Sequence, residues 1–272
     1  MKCADWKTGA SLAFNRRLDR EELMTAKAAG IDCVELSFSC DQYYNQLNFT
    51  EKAEEYKALA EEIGIELWSI HLPFGWTLDI SLLDDAQRNE TMRINRELMA
   101  AAARAGIKVV VVHPSSEPIS DEERPQRLIN SRENLKILAA YAKELGMRLA
   151  VEDLPRTCLI NHSDEALYML KDNPDLYIVF DTNHLLGQDN VEFIEAVGDR
   201  IITLHVSDYD FIDERHWVPL EGKIDWKALI NALEAKGYCG PWMYEIASDD
   251  GRRTYADFKA NHAELARLSA AN

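Results

Sequence analysis

One phrase recurs along the chain: an amphipathic helix, a glycine, an apolar residue and then a short apolar strand. It reads AAGIDCVELSF at residues 28–38, EIGIELWSIH at 62–71, RAGIKVVVVH at 104–113 and ELGMRLAVED at 144–153. Gly30, Gly64, Gly106 and Gly146 fall where a helix C-terminus calls for left-handed backbone angles. Asp19–Glu22 and Ser120–Glu123 have the spacing of a capping box and mark helix starts. Further strands are expected at TGASLA (8–13), LYIVFD (176–181), IITLHV (201–206) and PWMYEI (241–246). Strands apolar on both faces and separated by helices form a parallel sheet covered by those helices. Eight such units without a Ser/Pro-rich linker predict one α/β domain over residues 1–272, a closed (β/α)8 barrel. An open doubly wound sheet is the alternative.

The stretch LAVEDLP at 149–155 then raises a question, because a buried strand runs straight into Glu152 and Asp153. Burying a carboxylate is costly unless it is paired or bound to a metal. The same thing happens along the chain. Glu35, His71, His113, Glu152, Asp181, His205 and Glu245 stand at the ends of the second to eighth strands, and the ends of barrel strands build the catalytic face. Gathered in one pocket, these carboxylates would repel one another, and a divalent cation removes the conflict. His, Glu and Asp are suitable ligands. A cation at the strand ends is therefore expected, and Glu152 is expected to close its strand for that reason.

The chain resembles the xylose isomerase-like TIM barrels, a superfamily of sugar isomerases and epimerases that also contains the endonuclease IV type of enzyme. The resemblance runs through VVVVHPSS (109–116), VEDLP (151–155), FDTNH (180–184), LHVSD (204–208), ERHWVPLEGKIDW (214–226) and MYEI (243–246). It implies that Glu152, Asp181, His205 and Glu245 hold one divalent ion (Mn2+, Zn2+ or Mg2+), with no organic cofactor. It further implies that Glu152 and Glu245 exchange protons with an open-chain hydroxy-carbonyl sugar through a metal-stabilised enediolate, giving isomerisation or epimerisation. Substrate contacts are expected from His71, His113, His184, Arg215, His216, Trp217 and Glu35; an ordinary structural hydrogen bond is an equal expectation for Glu35. The rings of Phe74, Trp76 and Trp217 could cover a sugar. With only Arg156, Arg215 and Lys223 near the motifs, an unphosphorylated sugar or polyol is expected.

Other readings share the same residues. His71, His113, Glu152, Asp181, His184, His205, Glu214, His216 and Glu245 fall on the nine zinc-ligand positions of the endonuclease branch, with Glu214 where that branch has Asp. Against a phosphodiesterase acting on DNA stand 47 acidic residues facing 30 basic ones, a net charge of −17. The same charge argues against an anionic membrane surface. A dehydratase acting through a similar enolate, or a non-catalytic binding subunit, are further alternatives. Five cysteines without a C-x-x-C pair read as reduced thiols. No apolar run approaches the ~18 residues of a membrane helix, and the N-terminus has no signal-peptide core, so a cytoplasmic protein is expected. The final helix, from His262, is a possible homo-oligomer contact.

Overall fold

The computed structural model describes residues 1–38, 48–247 and 252–271. Eight parallel strands follow in order: β1 (Thr8–Ser11), β2 (Cys33–Ser37), β3 (Glu66–His71), β4 (Val109–Val112), β5 (Arg148–Glu152), β6 (Leu176–Asp181), β7 (Ile201–His205) and β8 (Trp242–Tyr244). Each pairs with its sequence neighbour, and β1 also pairs with β8. A bridge between Val206 and Tyr244 completes the ring, making a nearly closed (β/α)8 barrel. The helices outside it are α1 (Arg20–Ala28), α2 (Ala53–Ile63), α3 (Asp85–Arg104), α4 (Arg124–Glu144), α5 (Ser163–Leu170), α6 (Asn190–Val197), α7 (Trp226–Ala235) and α8 (Tyr255–Ala270). Among the described residues no helix is long and apolar enough to cross a bilayer.

The period-2 alternation of a strand divides the core in two. Val110, Val112, Leu149, Val151, Ile178 and Phe180 pack with the helices in the main apolar cluster, while Val109, Val111, Ala150 and Val179 form a separate one. The second set continues, at the same parity, into His113, Glu152 and Asp181. An apolar plug thus fills the barrel below, and a polar ring closes it above.

The repeat glycines behave as expected: Gly30, Gly64, Gly106 and Gly146 have φ of +88°, +76°, +84° and +70°. The predicted caps hold only in part. The Asp19 carboxylate accepts the Glu22 N–H at 2.9 Å, but the Glu22 side chain turns away to Asn15 and the Tyr255 hydroxyl. Ser120 Oγ accepts the Glu123 N–H, yet the helix proper begins at Arg124. Cys3, Cys33 and Cys158 are buried free thiols and Cys239 is an exposed one, whereas Cys40 lies outside the described residues.

α8 packs Tyr255, Phe258 and Leu265 against the barrel and buries His262. The His262 ring lies between Thr8 Oγ1 (2.8 Å from Nδ1) and the Cys3 carbonyl (3.1 Å from Nε2). Burial pushes its pKa down to about 4. The folded state therefore binds this proton less readily than the unfolded chain, whose His titrates near ~6.5. Stability from this group is complete above that unfolded value and is lost as pH falls towards 4. The loss amounts to about 3 kcal/mol at most. Urea unfolding between pH 7 and 4 should show this slope, and His262→Gln should flatten it.

Candidate active site

Glu152, Asp181, His205 and Glu245 each offer one ligand atom, and all four atoms lie within 4.8 Å of one another. His205 Nδ1 sits 2.8 Å from Glu152 Oε1, 3.1 Å from Glu245 Oε2 and 3.9 Å from Asp181 Oδ2. Asp181 Oδ2 is buried and has no hydrogen-bond partner among the described residues, as expected of an oxygen reserved for a cation. The donor set of three carboxylates and one imidazole suits a hard or borderline divalent ion. Glu152, Asp181 and His205 are almost fully buried, whereas the Glu245 side chain is 18 % exposed. Glu245 is thus the most accessible of the four.

The backbone also prepares the site. The Asp153 carboxylate accepts the Asp181 N–H at 2.8 Å, and burial pushes its own pKa up to about 8. Register slips by one residue between Ile178 and Val179, which brings His205 opposite Asp181. Such bulges re-aim side chains beside functional sites.

Two further groups adjoin the quartet: His71 and His113 with Glu152, and His184 with Glu214 and His216. His71 Nδ1 lies 2.9 Å from the Leu72 carbonyl, and His184 Nδ1 lies 2.8 Å from the Asp153 carbonyl. A carbonyl only accepts, so both rings carry a proton on Nδ1. Their Nε2 atoms then face Glu152 Oε2 at 3.1 Å and Glu214 Oε2 at 3.2 Å. This outer-acceptor arrangement is how ligating histidines are oriented.

The carboxylates and imidazoles of the site strongly bias one another's ionisation. Burial pushes the Asp181 carboxyl well above its ordinary range, and Glu245 and Glu152 push it further. Burial opposes ionisation of Glu152 too, but His205, with His113 and His71, holds it well below that range. Burial would lower His205, yet Glu152, Glu245 and Glu35 raise it well above an ordinary histidine. At Glu214, burial is outweighed by His184 and Arg156, leaving a pKa of about 2. A divalent ion would take over the role that protons play here.

The loop between β7 and α7 carries Glu214, Arg215, His216 and Trp217. The Asp208 carboxylate anchors it by accepting the N–H groups of Leu220 and Ile224 and the Trp226 indole N–H. A side-chain carbon at Gly222 would lie 2.2 Å from Asp208 Oδ1, so only glycine fits that close approach. Phe211, His216 and Leu220 take positive φ, each costing about 1–2 kcal/mol, which the anchor offsets. The Asn183 amide oxygen accepts the Arg215 and His216 N–H groups at 2.8 and 3.3 Å.

Two cavities flank the quartet. One, of about 290 Å3, is lined by Phe74, Trp76, His113, Arg156, His184 and Glu214 among others. The other, of about 440 Å3, is lined by Arg215, His216, Trp217, Ile246, Arg252 and Arg253 among others. His71 is buried beneath the first and touches it through Phe74, whose ring lies 5.0 Å away. Glu35 reaches neither cavity. It is fully buried, on the far side of His205. Arg215 lines the second cavity but spends its Nε on Asp210, and Arg156 binds Glu117, Asp213 and Glu214. The rings of Trp76 and Trp217 are exposed, while Phe74 stacks on His113 at 4.1 Å.

Sequence reasoning passed over Asp153, Asn183 and Asp208 as supports, and Arg252 and Arg253 as cavity residues. Asp153 in VEDLP, Asn183 in FDTNH and Asp208 in LHVSD each stood inside a motif, but nothing in the motif told their supporting role. Residues 23–269 match the family model described as xylose isomerase-like TIM barrel. Over 262 residues the chain is 28 % identical to L-ribulose-5-phosphate 3-epimerase UlaE of Escherichia coli (strain K12), covering 92 % of this chain and 90 % of that protein. Its fold is shared by a D-tagatose 3-epimerase-like protein, at 23 % identity and a TM-score of 0.82 over 97 % of this chain and 98 % of that one. D-psicose 3-epimerase from Clostridium cellulolyticum H10, solved with D-tagatose, aligns at 20 % identity and a TM-score of 0.76, covering 97 % and 95 %.

Proposed function

Because the chain belongs to the xylose isomerase-like TIM barrel family, we propose that it is a divalent-metal-dependent ketose epimerase that inverts the carbon next to the carbonyl. The observation that carries this reading is the convergence of Glu152, Asp181, His205 and Glu245 on one point beside a cavity. The relatives named as 3-epimerases support inversion over isomerisation.

A cation held by the quartet would supply Lewis-acid polarisation of the carbonyl and its neighbouring hydroxyl, acidifying the C–H between them. Glu152 and Glu245 reach the substrate from different strands. One, as a carboxylate, takes the proton from one face and leaves an enediolate. The other must carry a proton by the time the enediolate forms, and it returns that proton to the opposite face as the C–C double bond collapses. Inversion requires two such groups, one for each face. His113, His184, His216, Arg215 and Trp217 line the space around them and would bind the sugar hydroxyls and cover its ring-opened chain.

The test is proton exchange in D2O with Mn2+ added, over a panel of ketopentoses and ketohexoses, free and phosphorylated. Deuterium should enter at the carbon adjacent to the ketone, together with the epimeric sugar. Exchange at no carbon of any panel member, with the protein metal-loaded, would sink the reading.

One observation favours a second reading: the two histidine groups adjoining the quartet could hold additional cations, as a phosphodiesterase would require. A stoichiometry of three metals per chain together with nicking of abasic duplex DNA would replace the epimerase reading.

A further inference from the structure

Glu35 is a strand-end carboxylate that lines neither of the two cavities flanking the quartet. It is fully buried on β2, and its Oε2 accepts a hydrogen bond from the Ser69 hydroxyl at 2.7 Å. Register slips by one residue between Val34 and Glu35, and that slip sets Ser69 beside Glu35. Its other oxygen, Oε1, lies 3.0 Å from His205 Nε2, and neither atom has a hydrogen-bond partner among the described residues. The His71 ring lies nearly parallel to that of His205, at 14° and 5.6 Å.

Two orphaned polar atoms within bonding distance, both in the barrel core, call for an explanation. A buried carboxylate with one hydroxyl donor is costly unless its second oxygen is also satisfied. His205 has one nitrogen on each side: Nδ1 faces Glu152 and Glu245, and Nε2 faces Glu35. A neutral imidazole carries a single proton, and a carboxylate can only accept one. With a proton on Nε2, where the Glu35 carboxylate stands 3.0 Å away and favours it by charge, the lone pair on Nδ1 points into the quartet, which is the form a cation needs.

We propose that Glu35, steadied by Ser69, is a positioning residue that selects the His205 tautomer with its Nδ1 lone pair facing the cation site. The proposal rests on the reading of the quartet as a metal site, and it replaces substrate contact as the role of Glu35. Glutamine at this position keeps the volume but loses the enforcement, since an amide can turn either a donor or an acceptor towards Nε2. Alanine at Ser69 loosens the carboxylate without entering the site.

The experiment is Mn2+ titration of the purified full chain by chelator competition, with the visible spectrum of the Co2+ form as a second readout. Glu35→Gln is expected to weaken Mn2+ binding by about 10–100-fold and to alter the Co2+ bands, with the metal-free melting temperature little changed. Ser69→Ala should shift both readouts the same way by less. A merely structural Glu35 would lower the metal-free melting temperature and leave affinity and spectrum alone, and that result overturns the proposal. If Glu35→Gln does not fold, wild-type affinity and spectrum in Ser69→Ala overturn it. Neither readout involves a sugar. A chain that binds Mn2+ in this Glu35-dependent way but exchanges no ketose proton sinks the epimerase reading alone, whereas a wild-type chain that binds no divalent metal sinks this one.

Discussion

Replacing Glu152 by glutamine should lower kcat by about 10^3-fold or more and leave a folded barrel. Two losses combine. In the proposed reading the carboxylate would be both a ligand to the cation and one of the two proton-transfer groups, and general acid–base catalysis alone contributes about 10^2–10^4-fold. It is also the meeting point of four imidazoles: His205 at 2.8 Å, His71 at 3.1 Å, His113 at 3.3 Å and His184 at 3.7 Å. An uncharged amide there removes the charge that raises His205 and His71, so both rings become easier to deprotonate. The fold should survive, because the apolar clusters that close the barrel do not include Glu152. Steady-state rates, metal content and circular dichroism of the variant measure each part. Near-normal turnover with a full complement of metal would defeat both assignments.

Stripping the metal with a chelator should abolish turnover, and readdition of Mn2+ should restore it. The apo chain should remain folded but less stable, because Glu152, Asp181 and Glu245 crowd together and push the Asp181 carboxyl up. At a free-ion concentration 100 times Kd, binding adds about 2.7 kcal/mol. For a chain of this size that is about 5–10 °C in Tm, readable by calorimetry with and without the ion. The sign with pH follows from the same residue. A raised pKa means that the apo site holds a proton which the cation must displace, so affinity for the metal rises with pH and binding releases protons to buffer. Activity untouched by exhaustive chelation would count against metal dependence.

The barrel itself was legible in the sequence because its signals are short. Asp19 caps the start of α1, Gly64 ends α2 in the left-handed region, and Val109–Val112 is apolar on both faces, each signal lying within a few residues. The strand-end residues were legible for the same reason, since Val111 and His113, or Val179 and Asp181, share a face by alternation. Direction and partnership were not. For Glu35 the sequence left substrate contact and a structural hydrogen bond equally open, and the fold buries it beside His205 with a hydrogen bond from Ser69. Arg156 and Arg215 read as the basic groups of the pocket, but three acids claim the first and Asp210 takes part of the second. Arg252 and Arg253, far along the chain, join the cavity that Arg215 lines.

Local order therefore came from the chain alone: the succession of strands and helices, and which side chains share a face. These depend on backbone angles and pleat parity, which each residue and its near neighbours settle. What only the tertiary structure decided is where those faces meet. Closure of β7 on β8 brings Glu245 to His205, a one-residue slip sets Asp181 opposite that same ring, and Asp208 ties a loop of positive-φ residues into place. Each of these is a contact between residues remote or irregularly offset in sequence. Its strength comes from burial and from partners that exist only once the ring has closed.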